Sequence, residues 1–164
     1  MSILDSPSVS ALFQQIYAAD TATIEQQKQR YRNLLAAYSQ HFGATAPRLF
    51  STPGRTEIGG NHTDHNYGRV LAGSVNLDSL AAAAVSGTDK ITIYSEGYLD
   101  PFVVDLGDLK PRESEKGTTT ALIRGIAARL AELGFQIGGF NACLTSDVLP
   151  GSGLSSSASI EVLI

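Results

Sequence analysis

The sequence predicts an α+β fold built on a mixed or antiparallel sheet. Two observations support this prediction. Helical and strand-like segments are interspersed along the chain, and the strands come in pairs between the helices. With 164 residues, the chain is long enough for one ordinary domain.

Three helices are predicted from apolar residues that recur at helical spacing. Ser6 and Pro7 suit the N-cap and the first position of the first helix. The second helix should stop near Gly43 and the third at Gly134, because glycine favours the C-terminal end of a helix. The apolar positions are, helix by helix, Val9, Leu12, Phe13 and Ile16; Tyr31, Leu34, Leu35 and Tyr38; and Leu122, Ile126, Leu130 and Leu133.

Strands are predicted where short apolar or alternating segments lie between turn residues. Residues 69–85 are small and apolar, and suit one or two buried strands. Residues 55–68 are rich in Gly, Asn, Asp and His without periodicity, which predicts a loop. Residues 107–117 form a polar connector. The other predicted strands are Arg48 to Thr52, which ends at Pro53-Gly54, Lys90 to Ser95, Phe102 to Val104 and Phe140 to Thr145.

Composition excludes several classes of protein. A hydrophobic fraction of 43% and a charged fraction of 17% are typical of a folded chain rather than a disordered one. The net charge of −4 includes no basic block, so neither nucleic acid nor a membrane surface is an expected partner. No apolar run approaches membrane-spanning length, and the N-terminus does not resemble a signal peptide. The single cysteine, Cys143, excludes an internal disulfide and is expected to be buried and inert, and the cytoplasm is the expected location.

The most informative segment is the small-residue loop from 150 to 161, which runs into a predicted helix start. Glycines let the backbone approach an anion, and the first helical turn offers unpaired N–H groups and the positive end of the helix dipole. The hydroxyls of Ser155, Ser156 and Ser157 add donors, and one of them can contact a metal ion. The loop is not a Walker A motif, since no lysine follows the last glycine, and its spacing does not fit a dinucleotide fingerprint. We therefore predict a phosphate-binding loop, with a flexible Gly/Ser turn as the alternative.

A second polar segment, residues 53–66, combines a guanidinium, two carboxylates, two imidazoles and two amides. Loops with this density of polar groups usually bind a ligand. Asp64 and Asn66 can hydrogen-bond vicinal hydroxyls of a sugar, and Arg55 can neutralise a phosphoryl group or hold a carboxylate. Possible zinc ligands are His62, Asp64 and His65. A zinc site lacks a fourth ligand and a helical frame here, and a solvated loop without function is the remaining alternative.

Together the two segments resemble the galactokinase branch of the GHMP kinase superfamily. The matching motifs are Pro-Gly-Arg at 53–55, Gly-x-His-Thr-Asp-x-Asn at 60–66 and GLSSSASIEV at 153–162. They occur in the family order and at a family-like separation. The resemblance runs from about residue 40 to residue 164, which is roughly the first 40% of a galactokinase.

The resemblance also implies a domain organisation. Residues 1–45 would form a helical lead-in, and residues 46–164 would carry the sugar loop and the ATP loop in a partial N-terminal GHMP-kinase domain. A helix that ends at Ile164 after roughly two turns is too short to complete the core on which it should pack. The chain is therefore expected to be a fragment that is inactive alone and that self-associates through exposed apolar surface.

The resemblance assigns roles to individual residues. Arg55 matches the catalytic arginine, which polarises the attacking hydroxyl and stabilises charge on the transferred phosphoryl group. Asn61, His62 and Asp64 lie at sugar-binding positions, and the family's catalytic aspartate would lie further along than this chain extends. The ATP loop comprises Pro150, Gly151, Ser152, Gly153, Leu154, Ser155, Ser156 and Ser157. Within that loop, Ser157 is the candidate ligand of Mg²⁺.

The function implied is ATP-dependent phosphorylation of galactose at its anomeric hydroxyl, with ATP and Mg²⁺ as cofactors. Asn61 stands where the family usually has a glutamate that contacts the sugar's 6-hydroxyl, and His65 stands where it usually has tyrosine. Glu57-Ile58-Gly59 replaces the common Asn-Leu-Ile. A kinase for galacturonate, N-acetylgalactosamine or arabinose is therefore an alternative, as is a non-catalytic galactokinase-like sugar sensor.

Four further side chains have alternative interpretations. Tyr94 and Tyr98 lie where a nucleotide base could stack, although packing within the strand or loop is favoured. Asp78 is interpreted as a strand-end carboxylate rather than a ligand contact, and His41 as a residue that suits a helix C-terminus.

Overall fold

A computed structural model describes residues 3–17, 20–60, 63, 66–149 and 151–164. The elements in chain order are a 3-10 turn at Ile3–Asp5, α1 at Pro7–Tyr17, α2 at Thr21–Phe42, β1 at Arg48–Gly59, β2 at Leu71–Val85, β3 at Lys90–Ser95, β4 at Phe102–Asp105, a 3-10 turn at Glu113–Glu115, α3 at Thr119–Glu132, β5 at Phe140–Ser146 and α4 at Ser156–Leu163. The predicted α+β class is confirmed. No helix among these residues is both long and apolar enough to cross a bilayer.

The described strands form one sheet in the order β1-β2-β5-β3-β4. Strand β1 pairs antiparallel with β2, β2 with β5, and β3 with β4. Strands β3 and β5 pair in parallel, so the sheet is mixed. One or two strands are predicted between residues 69 and 85, and the structure has a single long strand there, β2. Strand β5 lies at the centre, where it joins the β1–β2 pair to the β3–β4 pair.

Alternation along β2 divides the core between the two faces of the sheet. Leu80 and Ala82 are fully buried and pack with the side chains of α1 and α2. Ala81 points to the opposite face and packs with Ile123 of α3. Because successive side chains of a strand point to opposite faces, this one strand contributes to both halves of the core.

Helix α1 begins at Pro7 and α2 ends at Phe42 before Gly43, as predicted. The predicted apolar face of α1 is wrong in part, because Leu12 and Ile16 are exposed. The residues that α1 buries are aromatic, Phe13 and Tyr17. Both rings pack against Tyr31 of α2, with centroid separations of 4.9 Å and 6.5 Å. A short helix that touches its neighbours along one edge buries an i, i+4 pair rather than a broad stripe.

The predicted apolar face of α3 is also wrong. Leu130 and Leu133 are exposed, and the buried positions are Ile123, Arg124 and Ala127. The Arg124 guanidinium donates to both carboxylate oxygens of Glu115 at 2.7 Å. This buried ion pair fixes the rotation of the helix, and the sequence pattern of leucines alone did not reveal it.

The loop predicted to begin at residue 55 is wrong as well, because β1 continues to Gly59. A register shift between Pro53 and Arg55 accommodates the proline, which has no N–H to donate. Beyond this irregularity, Arg55 pairs with Ser74 and the strand resumes. The irregular segment that carries the sugar motif is therefore shorter than predicted, and Arg55 lies on a strand.

Candidate active site

The serine-rich loop connects the central strand β5 to helix α4. Gly151 and Gly153 have φ values of +77° and +76°, a left-handed conformation that glycine adopts without strain. Ser155 is the N-cap of α4 with φ +60°, and its side chain makes no capping bond. The first bond of the helix runs from the Ser159 N–H to the Ser155 carbonyl at 3.0 Å. The amide groups of the first turn therefore lack intrahelical acceptors and are available to an anion.

The loop presents small polar groups at the surface. Gly151, Ser152 and Gly153 are exposed, and Ser157 is exposed in the first turn of α4. Ser152 Oγ donates to the Leu149 carbonyl at 2.6 Å, which bends the loop back on itself. This geometry fits the predicted phosphate-binding loop. Pro150, also predicted to belong to it, lies outside the described residues.

The two predicted motifs meet through the backbone. The Arg55 N–H donates to the Leu154 carbonyl at 3.0 Å. At Gly54, a Cβ atom would lie 3.1 Å from the Leu154 carbonyl oxygen and 3.2 Å from both γ-methyls of Val148. The missing side chain at Gly54 allows β1 to approach the serine loop this closely, so the Pro-Gly-Arg opening is the point at which the two motifs come together.

The Arg55 side chain is held by Glu57. Arg55 Nη2 lies 2.8 Å from Glu57 Oε1, and the arginine side chain is 43% exposed, whereas that of the glutamate is 14% exposed. Residues two apart on a strand share a face, which explains the pairing. The buried Nε of Arg55 has no hydrogen-bond partner among the described residues. Sequence analysis missed this pair, because residues 55–59 were interpreted as a loop and their alternation was not considered.

Most of the predicted sugar-binding residues lie outside the part of the chain that the structure describes. These residues are Asn61, His62, Asp64 and His65. Next to them, Thr63 accepts backbone bonds from Asn66 at 3.0 Å and from Gly68 at 2.7 Å, which closes a turn. The roles of the four residues stay predictions.

A cavity of about 400 Å³ lies beside the start of α4. Ser156 and Ser157 line one part of it, and Tyr98, Phe102 and Ile160 line another. The rings of Tyr98 and Phe102 pack edge to face at 5.0 Å. A concave site with apolar and aromatic walls and a few polar groups is typical of small-molecule binding.

Tyr94 lies on the opposite face of the sheet from this cavity. Its ring stacks on His41 with a centroid separation of 3.7 Å and an interplanar angle of 14°. Phe42 contacts the same ring at 5.6 Å. The favoured interpretation of Tyr94 as a packing residue is confirmed, and His41 joins the end of α2 to β3.

Asp78 is a structural carboxylate, but its predicted place at a strand end is wrong. It lies within β2, is 2% exposed and accepts hydrogen bonds from Tyr17, Arg30 and Ser51. Burial, together with the bond to Asp78, raises the pKa of Tyr17 above its usual value. The Asp78 carbonyl accepts the Asp147 N–H at 2.9 Å, which fastens the chain just before the serine loop.

Cys143 is buried in the core, as predicted. Burial raises the pKa of its thiol to about 11, which keeps it protonated and unreactive at neutral pH.

The described residues contain no group of three or more His, Cys, Asp or Glu side chains placed to hold a metal ion. A metal site formed by protein carboxylates and imidazoles is therefore not found in this part of the chain. A cation that reaches the serine loop would need most of its ligands from a bound anion and water, which suits the oxygen preference of Mg²⁺.

Comparisons with known proteins point to the galactokinases. The galactose-binding signature of galactokinases matches residues 36–85. The galactokinase of Limosilactobacillus fermentum is 34% identical over 137 residues, which cover 81% of this chain and 35% of that protein. The galactokinase of Chloroflexus aurantiacus is 33% identical over 131 residues, which cover 80% of this chain and 33% of that protein. The chain thus spans about a third of the length of these curated relatives.

Solved structures agree with the sequence comparisons. The crystal structure of Lactococcus lactis galactokinase complexed with galactose has a TM-score of 0.71 and 30% identity, and the match covers 78% of this chain and 34% of that one. The Methanococcus jannaschii mevalonate kinase structure has a TM-score of 0.58 at 20% identity, over 73% of this chain and 38% of that one, so it shares the fold. The matches to the galactose-binding signature, to the curated galactokinases and to the galactokinase structure together show that the chain belongs to the galactokinase family.

Proposed function

We propose that the protein carrying this sequence transfers the γ-phosphoryl group of ATP to the anomeric hydroxyl of galactose. The observation that carries the proposal is the 3.0 Å bond from the Arg55 N–H to the Leu154 carbonyl, which joins the predicted catalytic arginine to the predicted ATP loop. A galactose-binding signature over residues 36–85 supports the choice of sugar. A cytoplasmic location remains part of this proposal.

The serine loop would hold the phosphates of ATP. Backbone N–H groups at the start of α4 and the hydroxyls of Ser155, Ser156 and Ser157 are the donors, and the cavity lined by Tyr98 and Phe102 would take the base. Ser157 would contribute one hydroxyl oxygen to Mg²⁺. When bound, Mg²⁺ neutralises negative charge on the phosphate oxygens.

Arg55 would stabilise the transferred phosphoryl group. It extends from a paired strand rather than a mobile loop, and Glu57 restricts the orientation of its guanidinium at 2.8 Å. Phosphoryl transfer depends mainly on positioning and electrostatic stabilisation, and both favour a rigidly mounted cation.

The sugar would be bound by Asn61, His62 and Asp64. A carboxylate at Asp64 can accept hydrogen bonds from two adjacent hydroxyls, each contributing roughly 1.5–3 kcal/mol. In the intact protein, we expect Asp64→Asn to lower galactose affinity at least about tenfold, or ~1.4 kcal/mol, without changing ATP affinity. Titration calorimetry of each ligand separately measures this. An unchanged galactose affinity would remove Asp64 from the sugar site.

Ser157→Ala in the intact protein tests the metal assignment. We expect lower turnover and a higher Mg²⁺ concentration for half-maximal rate. Ser86→Ala, a half-buried serine in the connection between β2 and β3, is the matched control and should change neither quantity. If Ser157→Ala leaves the Mg²⁺ requirement unchanged, this serine is not a metal ligand.

The alternative substrate is a sugar that differs at C6 or C2. Asn61 can donate a hydrogen bond to a C6 carboxylate, which a glutamate at that position would repel. The deciding assay gives the intact protein ATP with galactose, galacturonate, N-acetylgalactosamine and arabinose in parallel. We expect the highest kcat/KM with galactose. Preference for another sugar would reassign the substrate, and binding without turnover of any of them would favour the sensor.

The 164-residue chain should not turn over sugar alone, because the family's catalytic aspartate is absent from its motifs. The measurement is a coupled assay on the purified chain with contaminating kinase excluded, and light scattering on the same sample tests the expected self-association.

A further inference from the structure

Three serine hydroxyls form a continuous hydrogen-bonded chain beneath the serine loop. Ser159 Oγ of α4 lies 2.8 Å from Ser79 Oγ of β2, and Ser79 Oγ lies 2.8 Å from Ser146 Oγ of β5. Ser79 is fully buried, and Ser159 is 3% exposed. None of the three belongs to the predicted ATP loop, which ends at Ser157.

The chain ends on backbone groups at both sides. Ser146 Oγ accepts the Val148 N–H at 3.1 Å and lies 3.3 Å from the Val148 carbonyl. At the other end, Ser159 Oγ also lies 3.1 Å from the Thr52 carbonyl of β1. Each hydroxyl carries one proton, so Ser159 shares its proton between Ser79 and the Thr52 carbonyl, Ser79 donates to Ser146, and Ser146 donates to the Val148 carbonyl, which gives every proton an acceptor.

These contacts fasten the two ends of the serine loop to the same point of the sheet. Val148 lies directly before the loop, and Ser159 lies one turn into the helix that follows it. Ser79 sits between them. A loop whose entrance and exit share one anchor has a fixed span, and its amide groups keep their orientation toward an anion.

Packing alone does not explain a serine at position 79. The following positions of β2 are Leu80 and then alanines from 81 to 84, so this part of the strand suits small apolar side chains. A buried hydroxyl is costly unless it is hydrogen-bonded, and here it has bonds on both sides.

We propose that Ser79 and Ser159 are positioning residues that hold the phosphate-binding loop in the geometry that ATP requires. The inference rests on the proposed function. Both side chains are buried, so neither touches the nucleotide, and they act through the backbone of the loop and of α4.

The test uses Ser79→Ala and Ser159→Ala in the intact protein. Each variant should raise the KM for ATP at least fivefold while the KM for galactose stays within twofold of the wild type. The double variant should be no worse than the poorer single variant by more than twofold, because both substitutions break the same chain. Cys143→Ala, buried on the other face of β5, is the control for lost stability and should leave the KM for ATP unchanged.

Each outcome is decisive. An intact wild-type protein that does not bind ATP overturns the proposed function and this inference with it. If the wild type uses ATP and both serine variants have the same KM for ATP as Cys143→Ala, this inference is overturned while the proposed function stands. An equal rise in both KM values means a general defect and also overturns it. If the alanine variants do not fold, Ser159→Cys, whose thiol is a poor donor of similar size, replaces them with the same expected rise.

Discussion

The neighbouring residues Asp78 and Ser79 of β2 are buried on opposite faces of the sheet, and each belongs to a polar cluster of a different kind. Under α1 and α2, the buried polar groups are the charges of Arg30 and Asp78 and the tyrosine hydroxyls around them, within an aromatic cluster. Under α4, the polar groups beside an aliphatic cluster are the neutral hydroxyls of Ser79, Ser146 and Ser159, whereas the charges of Arg124 and Glu115 lie apart from them at α3. The first set binds the helices to the sheet, and the second set holds the loop that faces a ligand.

The two kinds of polar group should contribute differently to stability and to ligand binding. Removing one partner of a buried ion pair is strongly destabilising, because the charge of the other partner is then uncompensated. Removing a neutral hydroxyl lowers the free energy of unfolding by less. The fold can therefore survive the loss of a serine hydroxyl near the loop. Variants of Asp78 should therefore act on stability, and variants of Ser79 and Ser159 should act on ligand binding.

The largest expected effect is that of Asp78→Ala. The variant removes the buried acceptor shared by Tyr17, Arg30 and Ser51 and leaves Arg30 only one carboxylate partner among the described residues, the half-exposed Asp147 at 3.0 Å, so it should cost about 3–5 kcal/mol of unfolding free energy. Urea denaturation followed by circular dichroism measures this. Asp5→Ala, which removes a half-exposed ion pair with Arg32, is the control and should cost less than about 1 kcal/mol. Equal costs for the two variants would mean that burial adds nothing to the stabilisation by the Asp78 carboxylate.

The next effect tests the rotation of α3. Ile123→Ala removes a fully buried side chain and should cost about 2–5 kcal/mol, whereas Leu130→Ala truncates a side chain that is 38% exposed and should cost under about 1.5 kcal/mol. Thermal unfolding of the two variants side by side gives the comparison. A larger loss for Leu130→Ala would restore the apolar face that the leucine spacing predicts.

Gly54→Ala should have a smaller effect that is concentrated on function. The added methyl would meet the Leu154 carbonyl at 3.1 Å and Val148 at 3.2 Å, and overpacking of this kind costs about 1–3 kcal/mol. In the intact protein, ATP binding should weaken because the serine loop is displaced. Gly73→Ala on β2 is the matched control, since its nearest neighbour lies 3.6 Å away. Unchanged ATP affinity in Gly54→Ala would mean that this contact does not set the loop position.

The smallest effect is a pH dependence on the α3 side. The hydrogen bonds from Arg124 hold the pKa of Glu115 below its usual value. The folded state therefore keeps this carboxylate ionised at a lower pH than the unfolded state. The stabilisation is fully present above about pH 4.3, the ordinary pKa of glutamate, and is lost as the pH falls further.

The measurement is the difference in Tm between wild type and Glu115→Gln from pH 7 to pH 3. The difference should be constant near neutrality and shrink below about pH 4. Glu113→Gln is the control, because its side chain is 87% exposed and should change Tm little at any pH. A difference that stays constant down to pH 3 would contradict the assignment.

Local signals predicted much of the fold. Glycine and proline marked the start of α1 and the end of α2 at Pro7 and Gly43, and alternation gave β3 within its observed bounds. Two of the failures, those at α3 and Asp78, share one cause, which is that polar residues distant in sequence determined the geometry. Arg124 rotated α3 through its bond to Glu115, and Asp78, assigned to a strand end, proved to be central.

Part of the candidate site could be predicted from the sequence. The serine loop and Arg55 could be read from residue types, because an anion site needs glycines, hydroxyls and a cation in short order. The contact through Gly54 and the Arg55–Glu57 pair could not, since both depend on β1 continuing past Pro53. Because the register shift at Pro53 lets β1 continue, residues 55–59 form a strand in the structure although the sequence predicts a loop.

The central position of β5 has a consequence for the order of folding. The β1–β2 and β3–β4 pairs are each closed by nearby chain, but only β5 connects them, and it pairs with β2 across about sixty intervening residues. Long-range pairings are slow to form, because a long loop must close first. During synthesis, the β1–β2 and β3–β4 pairs cannot be joined until β5, which ends at Ser146, has emerged. The serine loop emerges directly after it. The predicted phosphate-binding loop therefore emerges only after all five described strands of the sheet on which it is anchored.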